Sequence, residues 1–257
     1  MVKDKGLVKT VNFQNPKYVG DPINAVRIFN EKEVDELIVL DIYATLEKRE
    51  PDYNMIEQLA GECRMPLCYG GGIKTVEQAQ RIIELGVEKV AISSAASENP
   101  ELISRLADTI GNQSVVVVLD VKERSPGDMY EIWTHNGRKA TGRCPAESAL
   151  QMEALGAGEI VINAIDNDGV MKGYDFALVD IIRKTISVPL TVLGGAGSLQ
   201  DVGRLINKYG AIGAAAGSLF VFKGVYRAVL INYPNRAEKD ALIEKNYFNL
   251  SGGNTSV

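Results

Sequence analysis

Two segments of this chain repeat one another at one fixed spacing, and that duplication limits the possible folds more than any other feature. Gly70-Gly71-Gly72-Ile73 is followed by Ala91-Ile92-Ser93-Ser94-Ala95, and Gly194-Gly195-Ala196-Gly197 by Ala215-Ala216-Gly217-Ser218-Leu219. The separation from Gly71 to Ser94 equals that from Gly195 to Ser218. Each glycine run follows an apolar β-rich stretch and opens a segment of helical period. A repeated βαβα unit built around a glycine-rich loop accounts for all three coincidences.

Short apolar runs alternate with longer segments of 3.6-residue period, which predicts parallel βα units rather than a sandwich. Strands are expected at 36–43, 66–69, 89–93, 114–120, 159–163, 188–193 and 211–216. Several are apolar without alternation, as strands covered on both faces are. Helices are expected near 21–31, 54–63, 145–155, 175–185, 199–208 and 220–231. Two more carry explicit signals. Val76, Ala79, Ile82 and Ile83 share a face ahead of a stop at Gly86, while Asn99-Pro100-Glu101 offers a capping asparagine, a proline with helical φ and an early acid.

A doubly wound sheet usually carries one phosphate turn, after its first strand, whereas a closed (β/α)8 TIM barrel sets all such loops on one face. Two loops half a chain apart therefore favour the barrel. Residues 1–234 would form it, one strand short, because nothing strand-like precedes 6–13, which reads as a loop or hairpin arm. Residues 235–257 would be a polar tail.

Composition removes several function classes. The formal charge of −5 leaves no basic face, so neither nucleic acid nor an anionic membrane is expected as a partner. The longest apolar runs, such as 115–119, are too short to cross a bilayer, and Lys3, Asp4, Lys5 and Lys9 interrupt any leader-like apolar segment. A soluble, cytoplasmic protein is expected. Cys63, Cys68 and Cys144 make an odd set without CxxC spacing, so no disulfide framework or zinc site is indicated, and no metal or other cofactor is expected. The lone histidine, His135, lies beside Asn136-Gly137, a hairpin-turn signal, and reads as a turn residue.

The two glycine loops could hold two phosphates on backbone N–H groups and helix N-termini, with Gly71, Gly72, Ser93 and Ser94 around one and Gly194, Gly195, Gly217 and Ser218 around the other. A tight-turn role explains a single glycine run equally well; two matched copies point to a substrate with two phosphates. Asp120 ends the 114–120 strand at the mouth where barrel active sites lie, which suits a general acid or base, or alternatively a loop cap. Asp41, Asp166 and Asp168 stand at similar strand ends, and Asp166-Asn167-Asp168-Gly169 also fits an Asx-rich turn. Asn163, which ends its own strand, joins Asp168 as a substrate-binding candidate. At the opposite strand ends, Glu36, Lys89 and Glu159 form either a solvated rim or a charged ring around the barrel axis.

These pieces resemble the HisF family, the cyclase subunits of imidazole glycerol phosphate synthase. The resemblance runs from Val2 to about Phe222 and is carried by Gly20-Asp21-Pro22, the segment 35–42, Tyr69-Gly70-Gly71-Gly72-Ile73, the segments 95–100 and 116–120, and Ile165-Asp166-Asn167-Asp168-Gly169. Leu40-Asp41-Ile42 and Gly173-Tyr174-Asp175 look more like the cyclase than its sister isomerases, which share the phosphate loops.

The resemblance implies a barrel that takes ammonia from a glutaminase subunit docked at its N-terminal face. The ammonia would cross to a bis-phosphorylated substrate, phosphoribulosyl-formimino-aminoimidazole carboxamide ribotide, giving imidazole glycerol phosphate and aminoimidazole carboxamide ribotide (AICAR). By the same resemblance Asp120 matches one of two acid/base aspartates, Lys9 the lysine of the first loop, and Glu36, Lys89 and Glu159 three of four ammonia-gate charges, which replaces the rim reading.

The chain also departs from the family. The second aspartate would fall at Met1, the gate arginine has no counterpart, and Leu193 stands where the family carries serine. These departures imply either a start lying further upstream or a divergent paralogue. Two rival functions follow: a paralogue that delivers ammonia to another acceptor, such as a nucleotide-linked sugar in surface-polysaccharide synthesis, and a non-catalytic binding or channel protein.

Overall fold

A computed structural model of the chain describes residues 1–125 and 129–242. The first half contains β1 (Val2–Lys3), β2 (Gly6–Val11), β3 (Gln14–Gly20), α1 (Pro22–Glu31), β4 (Leu37–Leu40), α2 (Tyr53–Glu62), β5 (Leu67–Gly70), α3 (Val76–Glu84), β6 (Lys89–Ile92), α4 (Ser94–Glu98) and α5 (Glu101–Ile110). Next come β7 (Val115–Glu123), β8 (Tyr130–Thr134), β9 (Lys139–Ala140), α6 (Pro145–Ala154), β10 (Glu159–Ala164), α7 (Phe176–Arg183) and β11 (Leu190–Leu193). The last elements are α8 (Leu199–Tyr209), β12 (Gly213–Ala214), α9 (Ser218–Val221), β13 (Phe222–Lys223) and β14 (Ala228–Val229).

Strands β4, β5, β6, β7, β10, β11 and β12 lie side by side in chain order, each neighbouring pair parallel. This curled parallel sheet with its helices is the α/β TIM-barrel architecture, and its seven strands fall at the seven expected places. Side chains alternate in direction along each strand, so one set fills the barrel and the other meets the helices. Val116 and Val118 of β7 pack inside with Cys68, Ala91 and Val161. Val115, Val117 and Leu119 point outward into the larger core, where they meet the layer holding Ile82, Leu102, Ile103 and Leu106, all fully buried. Both faces are apolar, which is why these strands show no alternation in sequence.

The helices begin where side chains can satisfy free N–H groups. Asp21 caps α1 through Asn24 N–H at 2.8 Å, with Pro22 in the first turn. Both glycine loops lead into reciprocal capping boxes, Thr75 with Gln78 on α3 and Ser198 with Asp201 on α8. Segment 6–13 is the first arm of the β2–β3 hairpin. The β7 strand continues past the barrel into an antiparallel β8–β9 extension, whose tip turns through positive φ at His135, Asn136 and Gly137, as the Asn-Gly signal predicts.

The helix expected over 220–231 is replaced by the short α9 and the β13–β14 hairpin. Gly224 and Arg227 turn this hairpin with φ of 71° and 50°, and Val225 and Tyr226 are 91% and 94% exposed. The apolar spacing there does not mark a buried face. Of the segment expected to be a polar tail, residues 236–242 are helical, and Lys239 pairs with Asp35 at 2.7 Å; residues 243–257 lie outside the described residues.

Candidate active site at the C-terminal mouth of the barrel

Asp120 does not end its strand as expected: it lies within β7, three residues before Glu123, where pairing with β8 begins. Asn163 Nδ2–H donates to its Oδ1 at 3.0 Å and Ser93 Oγ–H to its Oδ2 at 3.2 Å. Both donors are at C-terminal strand ends, because Asn163 pairs directly with Asp120 in the β7–β10 register. Burial pushes the Asp120 carboxyl up to about 7, the two hydrogen bonds pull it back, and the nearby Asp168 charge adds a further upward push. A carboxyl poised there can take or give a proton at neutral pH. Asn163 Oδ1 is buried without a partner, so the amide has an acceptor left for a ligand.

Asp168 is buried and accepts from Thr10 Oγ at 2.8 Å. Lys9, the neighbour of Thr10 on β2, runs into the same site. Burial lowers its proton affinity while the Asp168 charge raises it. Its ammonium lies so close to Gly217 that a Cβ there would stand 2.1 Å from Nζ. The N-terminal hairpin therefore delivers a cation to the second glycine loop, across nearly the whole length of the barrel domain in sequence.

The glycines themselves are required by packing. A Cβ on Gly71 would lie 2.5 Å from the Asp41 carbonyl, and one on Gly195 would lie 2.0 Å from that of Gly173, both at positive φ. Close backbone approach is thus used first to seat each loop on its neighbour. The hydroxyls are also committed in part. Ser93 serves Asp120, while Ser94 Oγ accepts from His135 N–H at 3.0 Å and so ties the β8–β9 tip to the mouth. Ser218 Oγ is buried with no partner, which leaves it open to an incoming anion. In the second loop the Asp201 carboxylate takes Gly197 and Ser198 N–H, both at 2.9 Å.

At the other end of the strands, Lys89 Nζ binds Glu36 and Glu159, each at 2.9 Å. Burial lowers the Lys89 proton affinity, but the two carboxylates outweigh it and hold the ammonium charged. Thr191 Oγ donates to the remaining Glu159 oxygen at 2.7 Å. One cavity of about 510 Å³ is lined by Asp120, Asn163 and Asp168 at the mouth and by Glu36, Glu159 and Thr191 at the far end. Between them the wall is apolar, with Ala91, Val118 and Leu193. Met1 lines the same cavity.

Thr10, Thr191 and Arg49 take part without being singled out by sequence reasoning; Arg49 reaches the buried Asp41 at 3.3 Å. A lone hydroxyl inside a strand carries no periodic signal, and each partner is far away in sequence. Among the described residues no group of histidine, cysteine or carboxylate side chains could hold a metal ion, and no helix is long and apolar enough to cross a membrane.

The sequence matches the histidine biosynthesis protein family over residues 2–227. It is 58% identical to a Vibrio vulnificus protein provisionally named an imidazole glycerol phosphate synthase subunit of the HisF type, over 95% of this chain and 94% of that one. A Leptospira interrogans protein, provisionally named imidazole glycerol phosphate synthase subunit HisF, is 57% identical over 94% and 95% of the two chains. The chain belongs to the HisF family of histidine biosynthesis proteins. Within it, the Streptococcus sanguinis imidazole glycerol phosphate synthase subunit HisF, named without that reservation, is 38% identical over 85% of this chain and 86% of its own.

Proposed function

We propose that this HisF-family chain is the cyclase subunit of an ammonia-using imidazole glycerol phosphate synthase, working with a glutaminase subunit. The observation that carries the reading is that one cavity is lined both by Asp120 at the mouth and by Glu36 and Glu159, the two partners of Lys89, at the opposite strand ends. Ammonia released by a glutaminase at the N-terminal face enters past the charged trio and crosses the apolar wall. A neutral, small, polar molecule passes such a wall more readily than an ion, because an ion loses its hydration there.

At the mouth, the substrate's two phosphates rest on the paired loops. Gly71, Gly72 and Ser94 stand by one, and Gly194, Gly195, Gly217 and Ser218 by the other, with the Lys9 ammonium at the second. Asn163 and Asp168 contact the portion between them. Ammonia condenses with the ribulosyl carbonyl, whose oxygen leaves as water. The added nitrogen then bonds to the formimino carbon, the C–N bond from that carbon to AICAR breaks with the amine leaving protonated, and loss of a ring proton completes the imidazole. Asp120 moves protons in these steps, and its carboxyl, balanced near neutrality, is suited to both directions.

The test is turnover of the bis-phosphorylated formimino substrate by the purified chain with ammonium salts, following both products. Formation of imidazole glycerol phosphate and AICAR, lost in Asp120→Asn, supports the reading; turnover unchanged by Asp120→Asn overturns the role of Asp120. A second reading, ammonia delivery to a different acceptor, is favoured by Met1 lining the cavity beside Lys9 and Asp168, where the resemblance places a second carboxylate. Absence of turnover together with stimulation of a glutaminase partner selects that reading.

A further inference from the structure

Among the described residues, four buried side-chain polar atoms have no hydrogen-bond partner, and three of them gather at the second glycine loop: Asn163 Oδ1, Ser218 Oγ and Arg227 Nε. Folded chains leave few such atoms unpaired, so a cluster of them marks a place that a ligand completes. Asn163 Oδ1 stands 3.1 Å from where a Cβ on Gly194 would lie. Ser218 is buried and follows Gly217, against which Lys9 Nζ is packed. Arg227 comes to the same place from the β13–β14 hairpin, outside the duplicated unit.

The Arg227 guanidinium lies 4.9 Å from the centre of the Phe222 ring, and Phe222 directly follows the short helix that Ser218 opens. Its Nη2–H donates to the Gly169 carbonyl at 3.0 Å, next in the chain to the buried Asp168. The backbone at Arg227 is left-handed, with φ of 50°, a conformation that favours glycine or asparagine over a long side chain. Such a conformation persists where the surroundings fix the side chain. Arg227 is also close enough to act on Lys9. Burial lowers the Lys9 proton affinity, the Asp168 charge raises it, and the Arg227 charge lowers it again. Two cations thus share the surroundings of one unpartnered hydroxyl. The first loop is different, since Arg49, whose carbonyl packs on Gly72, spends its guanidinium on Asp41 and Glu47.

We propose that Arg227 is a phosphate-binding residue of the second loop, its Nε–H donating to a phosphate that also meets the Lys9 ammonium and the Ser218 hydroxyl. Nη2 keeps its bond to Gly169, so the bound phosphate ties the β13–β14 hairpin to the segment that carries Asp168. The ligand class is a phosphate monoester, which carries close to two negative charges at neutral pH and so matches two cations. A guanidinium suits this role because its donors are fixed in a plane and keep their charge when buried. The inference rests on reading the second loop as a phosphate site and adds to it a donor from a different element.

The experiment uses inorganic phosphate as the probe and the full chain in four forms: unsubstituted, Arg227→Asn, Arg227→Lys and Lys9→Met. Asparagine suits the left-handed turn, so Arg227→Asn removes the guanidinium without disturbing the hairpin. Phosphate affinity is read by calorimetry, and the Arg227 Nε–H resonance, identified by its loss in Arg227→Asn, is followed by NMR during the titration. Arg227→Asn is expected to weaken binding by about tenfold or more, and Arg227→Lys to restore only part of the loss, because an ammonium is a point charge without the Nε–H. In the unsubstituted chain the resonance should move downfield as phosphate binds. Weaker binding in Arg227→Asn with an unmoved resonance makes Arg227 a strut for Gly169 and overturns the direct contact. Binding weakened by Lys9→Met but unchanged in Arg227→Asn overturns the proposal and leaves the second loop as a phosphate site. Binding unchanged in both variants, or absent from the unsubstituted chain, overturns the phosphate reading of that loop together with the proposal.

Discussion

The proposed function places the proton transfers on Asp120, and the environment of that carboxyl makes predictions of opposite sign for activity and stability. Its proton affinity rises from an ordinary 3.8 to about 7 on folding. Between those values the folded chain holds a proton that the unfolded chain has released, so this group's contribution to stability falls as pH rises through that window. Asp120→Asn should therefore raise Tm more at pH 8 than at pH 5 while slowing cyclase turnover by roughly 10²- to 10⁴-fold. An equal Tm change at both pH values would show that the carboxyl is not held up by burial. Asn163→Ala removes a donor that favours the charged form, so the pH–rate profile should move upward; a downward move would mean that Asn163 does not stabilise the carboxylate. Asp120 was legible because it closes the apolar run 115–119, although the strand itself runs on to Glu123. Thr10, bonded to Asp168, was not, because nothing in a strand's period marks which hydroxyl finds a partner in the opposite half of the barrel.

At the scale of elements, the duplication proved to be a repeat of a whole unit: strand, glycine loop, capping box and helix. Ser198 shows what the cap contributes, since its hydroxyl accepts from Asp201 N–H at 3.2 Å and bonds the buried Asp201 carboxylate at 3.0 Å. Ser198→Ala should cost about 1–2 kcal/mol, measured by denaturant unfolding. Gly195→Ala should cost more than the lost cap, because its Cβ would collide with backbone rather than with a movable side chain. A smaller loss for Gly195→Ala would show that the loop can shift away from Gly173. Strand positions were readable from composition alone, as covered parallel strands are apolar on both faces. The region after Ser218 was misread because Phe220, Val221, Val225, Tyr226 and Val229 mimic a helical stripe. The positive φ at Gly224 breaks that stripe, and Arg227 instead spends its side chain on the Gly169 carbonyl at 3.0 Å.

For the whole molecule, the proposed function links the two ends of the barrel through one cavity, and Lys89 is where that coupling is most exposed to test. Its ammonium holds Glu36 and Glu159 together, and Glu159 is further fixed by Thr191. In Lys89→Met the buried Glu159 loses its counter-charge and repels Glu36, so the trio opens or one carboxylate takes up a proton. Stability should fall, yet stability alone would reduce glutamine-driven and ammonium-driven turnover together, because both use the same mouth. On the proposed route, ammonium salts supply ammonia directly to Asp120 from solution, whereas ammonia from a glutaminase passes the trio. The ratio of glutamine-driven to ammonium-driven turnover should therefore fall about tenfold or more in Lys89→Met, with the ammonium-driven rate nearly retained. Should both rates drop in parallel, the charges serve only to hold the strand ends; a fall in the ratio makes them the entrance by which the two active sites share one reactant.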